Sequence, residues 1–66
     1  MKLKFTKPRR HDIVHDLTDD QLASLCLELH GGGYTEEQTA EAIEFQRALL
    51  DGDKVEARGA TWEIVE

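Results

Sequence analysis

Four side chains have the chemistry to bind a metal ion: His11, His15, Cys26 and His30, which fall into two pairs spaced by four. On a helix that spacing turns both ligands of a pair toward one ion. The first pair, however, sits in His11-Asp12-Ile13-Val14-His15, whose β-branched centre favours an extended or irregular chain. Cys26 lies on an apolar stripe, where a free thiol behaves as a small hydrophobe. His30 closes the same segment, where an imidazole is favoured by the negative end of a helix dipole. All four therefore read as structural, and no metal and no cofactor are expected. Catalysis has as little support. The one serine, Ser24, falls inside a predicted helix, and HDIVH carries Asp where a zinc-protease helix carries Glu. Gly31-Gly32-Gly33 precedes a helix start but is followed by Glu36-Glu37 and no Lys, so it is a poor cradle for phosphate. The chain is expected not to be an enzyme.

What remains are surfaces made by charge. Residues 1–10, MKLKFTKPRR, hold five of the eight Lys and Arg and no acid, whereas residues 11–66 hold all fourteen Asp and Glu against Arg47, Lys54 and Arg58. A split this sharp belongs either to a basic arm meant for an acidic partner or to a basic strand that neutralises its own domain. Lys7, Arg9 and Arg10, clustered around Pro8, are the candidate phosphate contacts of the first reading. On the predicted second helix, Glu37, Glu41 and Glu44 recur at helical spacing with no basic neighbour among them, an acidic ridge suited to a basic protein groove. Leu27 points away from the apolar stripe of the first helix and is a candidate anchor beside that ridge.

The elements that must position these residues are short. Sixty-six residues make a single domain, 1–66, with a small core. Apolar runs such as Leu25-Cys26-Leu27 fall far short of a membrane span, and one Cys forms no internal disulfide, so a cytoplasmic setting is expected. Leu17-Thr18-Asp19-Asp20-Gln21 and Tyr34-Thr35-Glu36-Glu37-Gln38 share one pattern of helix start: a Thr cap, two acids for the positive end of the dipole, and a Gln that reaches back. The spacing predicts helix 1 over 19–30, with Leu22, Leu25, Cys26 and Leu29 on one buried stripe. Helix 2 is predicted over 36–51, with Ala42, Ile43, Leu49 and Leu50 inward and Phe45 at the edge of that face.

After Asp51-Gly52-Asp53 the pattern changes to alternation. KVEAR and TWEIV flank Gly59-Ala60, which as a type II′ turn would pair Arg58 with Thr61, Ala57 with Trp62, Glu56 with Glu63 and Val55 with Ile64. Near the start, Leu3 and Phe5 alternate with Lys2, Lys4 and Thr6 in a half-buried strand ended by Pro8. Set beside the hairpin, that strand brings Lys2 and Lys4 to the face of Glu56 and Glu63. The expected fold is α+β, order β-α-α-β-β, a helical pair packed on a short antiparallel sheet with a C-terminal β-hairpin.

From residue 17 to 65 the succession of helix, glycine turn, helix and hairpin resembles a winged helix-turn-helix, which implies a second helix in the major groove and the hairpin as wing. Here that helix carries Glu36, Glu37, Glu41, Glu44 and Asp51 against Arg47 alone, the wrong sign for phosphate. The helix pair with Gly33-Tyr34 before the second cap also resembles the first two helices of ubiquitin-associated domains, with strand-like KVEARGATWEIV where their third helix would stand. The expected function is a small acidic protein-binding module presenting an acidic helix to a partner with basic surface. An adaptor, inhibitor or assembly factor of phage or mobile-element type fits that description. The alternative is a winged-helix-like nucleic-acid binder that uses the basic N-terminal arm, although the acidic body disfavours nucleic acid.

Overall fold

Two capping boxes start the helices as their sequences demand. The structure, a computed structural model, describes residues 1–65. In α1 (Asp19–Leu29), Thr18 Oγ1 accepts from Gln21 N at 3.2 Å while Gln21 Oε1 accepts from Thr18 N at 2.9 Å. In α2 (Glu36–Leu50), Thr35 and Gln38 repeat the exchange at 3.0 and 3.3 Å, and Gln38 Oε1 also takes the N–H of Tyr34. Each pair satisfies donors that the first helical turn leaves free. Gly31, Gly32 and Gly33 then let the chain reverse. At Gly33, with φ of +76°, an added Cβ would lie 2.8 Å from Leu27 Cδ2, so only glycine allows the link to pass this close to α1.

The strands are β1 (Lys2–Thr6), β2 (Ile13–Asp16), β3 (Val55–Ala57) and β4 (Ala60–Ile64), in one antiparallel sheet of order β2-β1-β4-β3. The β-α-α-β-β order thus holds, with β2 added at one edge. Residues 13–15 are extended, as the β-branched Ile13 and Val14 favour, and their partner is β1, with Phe5 opposite Ile13 and Lys4 opposite Val14. The ladder continues past the strand ends, where Leu17 N donates to Met1 O at 2.8 Å and the Met1 ammonium donates to Leu17 O at 3.0 Å.

The C-terminal hairpin differs from the Gly59-Ala60 expectation. Its turn is Arg58-Gly59, with φ of 55° and 74°, and the register is Val55 opposite Trp62, Glu56 opposite Thr61 and Ala57 opposite Ala60. Two successive residues with positive φ make a type I′ turn, whose twist matches that of the strands. The slip is two residues, so every side chain keeps its face. Its consequence is electrostatic: Glu56 meets Thr61 instead of Glu63, and Glu63 is left for Lys4 across β1. Trp62 lies opposite Phe5, with ring centroids 4.9 Å apart, and its Nε1–H donates to Ala57 O at 3.0 Å.

The core is Leu3, Leu22, Cys26, Ala42, Phe45, Leu49, Ala60 and Trp62, contributed by both helices, β1 and β4. On α1 the predicted stripe is in place, with Leu22 and Cys26 buried and Leu25 and Leu29 packed against them. On α2 the face is rotated from the expected one. Phe45 is buried with Ala42 and Leu49, whereas Ile43 and Leu50 are 49% and 55% exposed. Residues 42, 45 and 49 form one i, i+3, i+7 stripe, and the larger Phe ring takes the place against the sheet that Ile43 would have filled. Leu27 also departs from expectation: it is half-buried against the core, beneath Gly33, and is no isolated surface leucine. Burial pushes the Cys26 thiol above its ordinary pKa. Among the described residues no helix is long and apolar enough to cross a membrane.

Candidate interaction surfaces

Strand β1 gives one of the five cations of the basic segment, Lys4, a partner inside the fold. Leu3 and Phe5 face the helices, so Lys2 and Lys4 stand on the opposite side of the sheet. Lys4 Nζ lies 2.9 Å from Glu63 Oε1, with both side chains largely covered at 29% and 21% exposure. That contact holds Lys4 above its ordinary pKa and, reciprocally, holds the Glu63 carboxyl below its own. Lys2 is in register with Asp16, which also lies 3.7 Å from the Met1 ammonium.

Lys7, Arg9 and Arg10 are placed differently. They belong to the β1–β2 turn, where Arg10 N donates to Lys7 O at 3.3 Å, Pro8 takes the second position and Arg9 the third, with φ of 63°. This is the pattern of a type II turn, whose third position ordinarily calls for Gly or Asn. Because Thr6 pairs with Thr61, the turn lies next to the Arg58-Gly59 tip. A cleft of about 390 Å³ separates them, lined by Thr6, Pro8, Glu56, Arg58, Gly59 and Thr61. Arg58 Nε donates to Leu29 O at 3.1 Å, satisfying one of the last carbonyls of α1. The three reversals of the chain, β1–β2, β3–β4 and α1–α2, therefore gather at one end of the molecule.

The outer side of α2 is the second surface. Glu37, Glu41 and Glu44 are all exposed, and none makes an ion pair among the described residues. Ile43 and Leu50, expected inward from their spacing, instead form an exposed apolar stripe, with Tyr34 91% exposed at the head of the helix. Two shallow grooves meet at Ile43, one reaching Tyr34, Thr35 and Thr39, the other reaching Gln46, Arg47 and Leu50. Leu27, packed on the core, is not part of that stripe. The signal for the stripe was present in the alternative spacing 42, 45, 49, which excludes 43 and 50 from the core.

The four metal-type residues are dispersed in role. His15 stacks on Phe5 at a centroid distance of 5.7 Å. His30 Nδ1 lies 2.9 Å from Cys26 O, and its ring meets Phe45 edge-on at 5.0 Å. Among the described residues, no group of three or more His, Cys, Asp or Glu is placed to hold a metal ion. Compared with known proteins, the chain matches no protein-family model, no curated protein and no solved structure.

Proposed function

We propose that the protein is a small, acidic, non-enzymatic protein-binding module, an adaptor, inhibitor or assembly factor, that docks through α2 onto a partner with basic surface. The observation that carries this reading is the exposure of Ile43 and Leu50 on the same helix as Glu37, Glu41 and Glu44, with Tyr34 exposed just before its cap. A ridge of acids alone is compatible with a merely solvated face. Exposed acids together with exposed apolar side chains that the core does not use give a docking helix both of its requirements. The carboxylates steer encounter and select a basic rim, while the apolar anchors supply the area removed from water. The geometry suits a helix laid along a groove, with anchors at 43 and 50 two turns apart.

The test is affinity capture from cells of the source by wild type, by Glu37→Gln/Glu41→Gln/Glu44→Gln, and by Ile43→Gln/Leu50→Gln. Surface changes of this kind leave stability within about 0.5 kcal/mol, so all three proteins should melt together. The expected result is one protein retained by the wild type and lost by both variants. Retention of the same protein by both variants would remove α2 as the interface.

A further inference from the structure

We propose that the two adjacent hairpin turns form one cationic site for the phosphodiester backbone of a nucleic acid, contacted by Arg9 and Arg58 with Lys7 and Arg10 beside them. The site is separate from the α2 surface, and neither proposal depends on the other. The first observation is conformational. Among the described residues, Arg9 and Arg58 are the only non-glycine residues with positive φ, at 63° and 55°. Both occupy turn positions that Gly, Asn or Asp fill with less strain. At Arg58 the contact with Leu29 O already gives the side chain a use outside its turn, whereas the Arg9 side chain has no such partner among the described residues, and its conformation points to a use outside the fold.

The second observation is placement. Pairing of Thr6 with Thr61 sets the two tips side by side, so residues 49 positions apart in sequence share one end of the sheet. Lys7, Arg9 and Arg10 make no ion pair among the described residues. Arg58 uses Nε for Leu29 O, and its terminal nitrogens remain for an outside acceptor. Carboxylates on this side include Glu56, which lines the cleft, and Asp12, just beyond the turn and also close enough to Lys4 to favour its charge. Four cations outnumber them. The rest of the molecule is acidic, so the turn end would lead in any approach to a polyanion. Narrow β-ribbon tips enter nucleic-acid grooves, and arginine forks suit phosphate oxygens. Contacts to phosphate oxygens position a protein on a nucleic acid without carrying sequence information, so binding through them is expected to be independent of base sequence.

The test is fluorescence anisotropy of the whole chain with a labelled mixed-sequence DNA duplex of about two helical turns. Four phosphate contacts give a log–log salt slope near −3.6. Arg9→Gly/Arg58→Asn is expected to halve that slope to about −1.8 and to weaken binding by at least about tenfold at low salt. Arg9→Gly/Arg10→Gln should do the same while leaving the Arg58–Leu29 contact intact, which separates lost binding from lost structure. The Glu37, Glu41 and Glu44 triple change to Gln should leave the slope where it is. Absence of binding at low salt, or a slope unchanged in the two arginine variants, overturns the proposal. Displacement of the duplex by polyglutamate at equal charge concentration also overturns it, because it assigns the site to an acidic protein surface; failure of polyglutamate to compete supports it.

Discussion

Residues 1–6 and residues 7–10 carry the same kind of charge and meet opposite fates. In β1 the alternation of the strand sends Leu3 to the core at 0% exposure and turns Lys4 to the far face, where Glu63 waits at 2.9 Å. In the turn there is no alternation to divide buried from exposed: Arg9 and Arg10 are exposed, Lys7 is half-buried, and none of the three makes an ion pair among the described residues. The same contrast runs through the conformations. The lysines of β1 sit in ordinary extended backbone, whereas Arg9 occupies a left-handed region that favours smaller residues. A run of basic residues in sequence is therefore two things in the fold, a strand in which Lys4 is paired with Glu63 and a tip that makes no ion pair among the described residues. The difference lies in whether a neighbouring strand supplies the partner.

That division can be broken at its strongest point first. Leu3 is wholly buried beneath the helices, so Leu3→Ala should destabilise the domain by about 2–5 kcal/mol, read as a lowered denaturant midpoint. A loss below about 1 kcal/mol would mean that β1 is no more essential than the turn.

A smaller effect sharpens the electrostatic half of the comparison. The Glu63 carboxyl is held low in the fold, so its contribution is present above the ordinary carboxyl value, about pH 4.3, and is lost as pH falls through the folded value. Lys4 is held high, so its contribution is present below the ordinary amine value, about pH 10.4, and is lost as pH rises through the folded value. Wild type should therefore exceed Glu63→Gln in stability across the neutral range, and the gap should close in acid. A gap independent of pH would show that the pair acts by packing alone.

The helices were legible because their signals are local. Thr18 with Gln21 and Thr35 with Gln38 fix both starts within a few residues, and glycines fix the ends. The rotation of α2 was not legible, because Ala42, Ile43, Phe45, Leu49 and Leu50 allow two overlapping stripes, and only the ring of Phe45 meeting His30 and the sheet decides between them. Strand β2 was hidden for a similar reason: four exposed residues carry no inside-outside pattern, and only pairing with β1 makes them a strand. The Arg58-Gly59 turn escaped because arginine is an unexpected first residue for a type I′ turn. In the candidate sites, the acids and the basic cluster could be named from sequence. Their surroundings could not: the apolar stripe depends on the rotation of α2, and the second arginine tip depends on the pairing of β1 with β4.

Whether the turn's charges serve anything inside the fold is open to one direct measurement, the thermal melt of Lys7→Gln/Arg9→Gly/Arg10→Gln beside wild type at low salt. These side chains make no ion pair among the described residues, and glycine relieves the left-handed strain at position 9, so the variant should melt at or a few degrees above wild type. A melt several degrees below wild type would contradict the division, showing that the tip, like the strand, is spent on holding the domain together.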